Sequence, residues 1–394
     1  MAPTWAATAV PLLSPFLLSS APSARCRPPE LHSRKRAGGG ATRPRPRRQL
    51  LPCRNGFAPP AAKASAQELG ERALAAGNAG EEPSEEVSTA TLIWRAIKLP
   101  IYSVAFVPLT VGSSAAYLKA GFFSSMRYLA LLSASILVIT WLNLSNDVYD
   151  FDTGADRNKK ESVVNIVGSR EVTHFAANIS LALGSMGLIW ACAESGDIRS
   201  ILLLALAILC GYLYQCPPFR LGYLGLGEPL CFAAFGPFAT TAFYFSQGSK
   251  SLSGAILSAS ILVGLTTTLI LFCSHFHQIE GDRAVGKLSP LVRIGTRKGS
   301  IVVKVAILTL YALLFSFCMG RALPVTCAFA CILTLPIAKL IFNYVEENHE
   351  DKVRIFMAKY YCVRLHSLFG ICLALGLVLA RMGANVRLPS LSVA

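Results

Sequence analysis

The sequence predicts an all-α membrane protein, a nine-transmembrane-helix bundle with its candidate site at one membrane face. Three observations predict it. Hydrophobic residues make up 53% of the 394-residue chain and charged residues only 15%, where soluble domains carry about 25%. Apolar runs of the ~20 residues that a spanning helix needs recur along the chain. The polar side chains between those runs collect on alternate connections. Only helices or closed barrels satisfy backbone groups in lipid, and these runs are too long and too uniformly apolar for barrel strands.

The chain opens on a segment that does not belong to the bundle. Residues 1–66 hold eleven Lys/Arg and one acid, Glu30, and so carry +10 of the total +15, leaving +5 for the rest. The basic balance is therefore local and gives no support to nucleic-acid binding. Rich in Ala, Ser, Pro and Arg, residues 1–65 read as an organelle transit peptide. The apolar stretch Val10–Leu18 is broken by Pro11 and Pro15 and has no basic residue before it, which argues against a secretory signal. Residues 66–94 read as a polar linker, 95–382 as the helical domain and 383–394 as a short tail. Of twelve cysteines, Cys26 and Cys53 lie in the leader. The other ten are scattered through apolar runs without a CxxC pair, so they read as small hydrophobes rather than a metal or disulfide framework.

Nine spans are expected, at 98–118, 127–146, 174–194, 199–216, 228–246, 253–275, 300–320, 324–343 and 361–381. The polar stretches follow the second, fourth, sixth and eighth, so all four lie on one membrane face. Loops 147–172, 217–226, 276–299 and 345–360 carry thirteen Lys/Arg, against five in 119–127, 195–199, 247–252 and 321–323. The positive-inside rule then turns the polar face toward the stroma, matrix or cytoplasm.

The stretch NLSNDVYDFDTGADRNKK, residues 143–160, ends the second span and holds four aspartates. Asp147 and Asp150, three apart, share a face on a helix. Asn143 and Asn146 lie one turn back, and Asp156 follows the turn that Gly154 permits. A helix C-terminus carries partial negative charge, so carboxylates gathered there repel it and each other. Hard divalent cations relieve that repulsion. Mg²⁺ characteristically takes one or two carboxylates plus substrate phosphates, which points to Mg²⁺ carrying a phosphorylated ligand. The alternative is a solvated acidic loop paired with Arg157, Lys159 and Lys160.

A second acidic stretch, Glu280 and Asp282, ends the sixth span on the same face and is followed by Arg283, Lys287 and Arg293. Two such clusters can hold Mg²⁺ ions on a diphosphate while the cations bind its remaining oxygens. Ordinary ion pairs in a positive-inside loop are the alternative here. Tyr212 and Tyr214 precede Pro217 and Pro218, which stop the fourth span, and could be interfacial anchors or face the substrate. His275 and His277 could be general bases or donors to an aromatic substrate, but two apart they point to different faces and read as structural. The run Glu346, Glu347, His349, Glu350, Asp351 reads as a solvated loop.

These stretches resemble the UbiA-type membrane prenyltransferases. NLSNDVYDFDTGAD is similar to the first aspartate motif of the family's naphthoate branch, with Asn146, Asp147, Asp150 and Asp156 at its positions. PPFRLGYLGLGE and DRAVGKLSPLVRIG resemble its next two stretches, in order and at the matching helix ends, and the likeness covers about residues 95–380. One departure stands out. The second motif usually opens with aspartate where this chain has Gln278, so its metal set would rest on Glu280 and Asp282. The resemblance implies an Mg²⁺-dependent transferase moving a prenyl group from its diphosphate to an aromatic ring. With a plastid-like leader, the implied substrates are phytyl diphosphate and 1,4-dihydroxy-2-naphthoate, with loss of the carboxylate, in a chloroplast membrane. Asp147, Asp150, Asp156, Glu280 and Asp282 would hold metal. Asn143, Asn146, Lys159, Arg283, Lys287 and Arg293 would bind substrate, with Tyr212 or Tyr214 beside the allylic cation. Homogentisate phytyltransferase and chlorophyll synthase are the alternatives within plastids, and a transporter of an Mg²⁺-phosphometabolite the alternative outside the family. Acids gathered at helix ends rather than near the bilayer midplane argue against transport.

Overall fold

The computed structural model describes residues 99–154 and 162–387. The leader, the linker, Asp156 and Lys159 lie outside the described residues. After a 3₁₀ turn at Leu99–Tyr102, α1 spans Ser103–Ala120 and α2 Ser125–Thr153. The short α3 (Val163–Val167) leads to α4 (Arg170–Ala193) and α5 (Ile198–Gln215). Next come α6 (Gly227–Ala233), a π-helical segment (Ala234–Thr240) and α7 (Thr241–Ser246). The second half holds α8 (Gly254–Ser274), α9 (Ile279–Ala284), α10 (Pro290–Ile294) and α11 (Thr296–Met319). It closes with α12 (Val325–Ile332), α13 (Leu335–Asn348) and α14 (Ala358–Arg387).

Among the described residues, seven helical stretches are long and apolar enough to cross a membrane, and eight if the bent pair α12–α13 is one span. The expected count of nine is therefore not reproduced by length and composition. The fifth expected span coincides with α6, the π segment and α7, which no single regular helix fills. Pro237 sits inside the π segment, where its missing N–H and ring bulk disrupt regular α-helix pairing. The α12–α13 pair bends by 54°. Pro336 at the start of α13 breaks the pairing there, and the Thr334 hydroxyl bonds back to the Cys331 carbonyl at 2.6 Å. Further boundaries differ: α2 continues past 146 to Thr153, α13 past 343 to Asn348 and α14 past 381 to Arg387, while α4 begins at Arg170 rather than 174.

Two large packed cores, with a smaller cluster of Val104, Ala105 and Ile139, hold the described residues of the bundle. One gathers Leu131, Trp141, Ala177, Leu188 and Phe243 from α2, α4 and α7; the other gathers Ile256, Leu310, Ile341 and Phe369 from α8, α11, α13 and α14. Helix α1 contributes to both, through Leu109 to the first and Val111 to the second. Outward faces stay apolar, with Met186, Trp190, Leu202, Leu308 and Phe315 exposed. An apolar exterior has no hydrophobic penalty in lipid, so close packing must hold such helices together. Glycine permits it: a Cβ on Gly376 would meet the Cys327 backbone at 2.5 Å.

Each rim is tied separately. On the rim with short loops, Arg127 Nη1 donates to the Ser246 carbonyl at 3.0 Å and Arg199 Nη2 to the Lys250 carbonyl at 2.8 Å. The opposite rim carries the acidic stretches.

Candidate active site

The site begins at the last turns of α2. Asp147 is fully buried, and its Oδ2 accepts from the Val163 N–H at 3.0 Å, which pins the returning chain at α3. Asp150, one turn on, has both carboxylate oxygens engaged. Its Oδ2 accepts from Asn146 Nδ2 at 2.9 Å and its Oδ1 from the Tyr223 hydroxyl at 3.1 Å. Thr153 Oγ1 lies 2.9 Å from the same hydroxyl. Gly154 then ends the helix at φ 86°, a left-handed conformation that favours glycine. Asn143 is buried on α2. Asp152, on the outer side, is held by Arg170 at 2.8 Å.

Tyr223 belongs to the loop after α5. Burial, reinforced by the Asp150 charge, pushes its hydroxyl up to about 12, so it stays protonated and donates. The loop is shaped by Arg220 at φ 41° and Gly225 at φ 78°. A left-handed arginine is strained unless its surroundings compensate. Here its guanidinium lies 5.8 Å from the Tyr149 ring centroid and 6.0 Å from that of Tyr223.

The second acidic stretch meets this loop. Lys287 Nζ stands 3.2 Å from Asp282 Oδ1, with both side chains buried, and 5.7 Å from the Tyr223 ring centroid. Burial alone would lower its pKa; the Tyr214 hydroxyl, Asp282 and Asp150 outweigh that and hold the ammonium above the usual lysine range. Asp282 thus pairs with this cation directly, and Asp150 lies within its electrostatic reach. The connection is also made by backbone, since Leu288 N–H donates to the Tyr223 carbonyl at 2.8 Å.

Other expected site residues are placed differently. Arg293 donates to the carbonyls of Leu224 at 2.8 Å and Leu288 at 3.1 Å, so it staples the two loops. Glu280 points away from Asp282 and pairs with Lys352 at 2.7 Å in an exposed position. Arg283 is exposed. Tyr212 is exposed, bonded to the Pro217 carbonyl at 3.3 Å. Tyr214 instead faces the site, its ring lodged against Gly222 and Gly227, where added Cβ atoms would come within 2.9 and 2.8 Å. Sequence reasoning missed Tyr223 and Arg220. Each is the one residue of its type in loop 217–226, and that was the available signal.

Among the described residues, no three His, Cys, Asp or Glu side chains stand close enough to hold a metal ion between them. A hard cation that takes one or two carboxylates and completes its shell with phosphate oxygens needs fewer. Asp282 Oδ2 is buried without a hydrogen-bond partner, and a buried carboxylate oxygen calls for one. The donor set fits such an ion.

The chain is 66% identical over 303 residues to the chloroplastic 2-carboxy-1,4-naphthoquinone phytyltransferase of Arabidopsis thaliana, covering 75% of this chain and 79% of that protein. It is 42% identical over 307 residues to the Synechocystis 2-carboxy-1,4-naphthoquinone phytyltransferase, covering 76% and 97%. The apo structure of a UbiA homolog from Aeropyrum pernix superposes with a TM-score of 0.56 at 16% identity, over 71% of this chain and 98% of that one, and shares the fold. The profile of the UbiA prenyltransferase family matches residues 105–369. With that match, the identities and the shared fold, the chain belongs to the UbiA prenyltransferase family.

Proposed function

We propose that this chain transfers a phytyl group from phytyl diphosphate to 1,4-dihydroxy-2-naphthoate, with loss of the carboxylate, in a chloroplast membrane. The observation that carries the reading is the 66% identity to the Arabidopsis phytyltransferase across the helical domain. A relative from Bacillus subtilis, 24% identical over 316 residues, is a 1,4-dihydroxy-2-naphthoate octaprenyltransferase and supports the same acceptor class.

The residues suit the chemistry. Mg²⁺ held at Asp147, Asp150, Asp156 and Asp282 would neutralise diphosphate charge and improve the leaving group. Lys287, kept charged in a buried position, stabilises the negative charge that develops as the allylic C–O bond breaks. Arg220, the cation of the loop that clamps Asp150, offers the diphosphate a second positive group. Tyr223 fixes the Asp150 carboxylate, and Tyr214 sets a ring beside the same cluster, where its π face can shelter a carbocation. The apolar bundle excludes water from that cation. The ring carbon bearing the carboxylate attacks, forming the C–C bond. Carbon dioxide then leaves, returning its bonding electron pair to the ring and restoring aromaticity.

The acidic rim faces the stroma in this reading, since that rim carries the larger share of basic loop residues. Membranes expressing residues 66–394 test the assignment. Dihydroxynaphthoate, homogentisate and chlorophyllide are crossed with phytyl, geranylgeranyl and solanesyl diphosphates. Phytyl diphosphate with dihydroxynaphthoate should give the highest turnover; a stronger signal from homogentisate or chlorophyllide overturns the acceptor.

A further inference from the structure

Behind Tyr214 lies a second buried pair that the steps above leave unused. His275, at the end of α8, and Glu228, at the start of α6, are 3% and 8% exposed, and His275 Nδ1 stands 3.2 Å from Glu228 Oε1. Glu228 Oε2 is buried with no hydrogen-bond partner. Burying a carboxylate and an imidazole is costly, and one unmet oxygen adds to that cost. The pair is not remote from the chemistry. Glu228, Asp150 and Lys287 all lie within electrostatic reach of the Tyr214 hydroxyl, as does Cys231. Gly227, next to Glu228, forms part of the wall that the Tyr214 ring rests on.

Such a pair suits the chemistry of the proposed transfer. Attack from the carbon bearing the carboxylate is strongest when the adjacent hydroxyl gives up its proton, since oxygen then pushes electrons into the ring. The first step forms the C–C bond, breaks the C–O bond to diphosphate and leaves a ketone at that oxygen. Loss of carbon dioxide returns the electron pair as an enolate, and the enolate oxygen takes the proton back. No net proton is consumed or released by the base, so it must hold one proton through two steps, shielded from water. A carboxylate bonded to one imidazole nitrogen fixes the tautomer and leaves the other nitrogen as acceptor.

We infer that His275 Nε2 borrows and returns the acceptor hydroxyl proton, with Glu228 as the positioning residue that orients the ring and supports its charge. This assignment rests on the naphthoate reading above. The test uses the membrane-inserted chain with His275→Gln and Glu228→Gln, measuring diphosphate release and prenylated product in parallel. Wild-type turnover should couple the two. H275Q should lower product formation on the order of 100-fold, keep the KM for prenyl diphosphate, and divert the allylic cation to prenyl alcohol with diphosphate still released. E228Q should show the same uncoupling to a smaller degree. Two results overturn the assignment: unchanged product formation in H275Q, or parallel loss of release and product with a raised KM for prenyl diphosphate. The latter pattern marks a packing role. Failure of the parent chain to prenylate dihydroxynaphthoate at all would instead sink the naphthoate reading and this step with it.

Discussion

Replacing Lys287 by Met removes a buried cation that pairs with Asp282 and lies within electrostatic reach of Asp150. The ammonium is 3.2 Å from Asp282 and nearly enclosed, with side-chain exposures of 11% for Lys287 and 7% for Asp282. Breaking a buried pair from one side costs about 3–5 kcal/mol, because the remaining charge keeps its desolvation penalty. Removing one preorganised stabiliser of transition-state charge costs about 2.7–4 kcal/mol, or 10²–10³ in kcat. The first figure is a cost in fold stability and the second a cost in rate, so K287M should lose about 100- to 1,000-fold in kcat on the second alone. Lys287→Arg should recover part of it by restoring charge. The assay is diphosphate release at saturating prenyl diphosphate and acceptor, normalised to membrane-inserted protein. Since Lys287 is held above the usual lysine range, its contribution stays complete at lower pH. It is lost only as pH climbs through that raised value, so no activity step from this group should appear below about pH 10. A K287M kcat within about threefold of the parent, ~0.7 kcal/mol, would refute the electrostatic role.

Further outcomes follow from the same geometry. Asp147→Ala and Asp150→Ala should abolish turnover while leaving the protein in membranes, as measured by product formation and membrane fractionation. Tyr223→Phe removes the hydroxyl that donates to Asp150 at 3.1 Å. A hydrogen bond to a charged group contributes about 1.5–3 kcal/mol, so a loss of about 10- to 100-fold in kcat/KM is expected. Asp282→Asn should be severely impaired in Mg²⁺ titrations of activity. Glu280→Gln, exposed and bound to Lys352, should stay within about threefold, as surface ion pairs contribute little.

Much of this architecture is legible in the chain because lipid imposes a simple rule. Apolar length marks helices, and parity sends every second connection to the same rim, so the sequence alone puts the two acidic stretches on one membrane face. The irregular spans were harder. Pro237 within 228–246 and Pro336 near the end of 324–343 are visible as residues, but whether a proline kinks, bends or shifts a helix to π pairing depends on its neighbours. Glu280 and Asp282 look like a pair in sequence. Residues two apart on a helix do not face each other, and only Asp282 turns inward. Tyr223 was hidden for a related reason. Its reach to Asp150 depends on left-handed backbone at Arg220 and Gly225, a property of the folded loop rather than of local residue preference.

The loops after α5 and α8 are sewn to each other by Leu288 N–H on the Tyr223 carbonyl and by Arg293 on the Leu224 carbonyl. The clamp on Asp150 and the partner of Asp282 therefore ride on one joined strap. Its ordering entropy is met during folding, not when a charged, flexible lipid pyrophosphate arrives, and that economy favours affinity without new contacts.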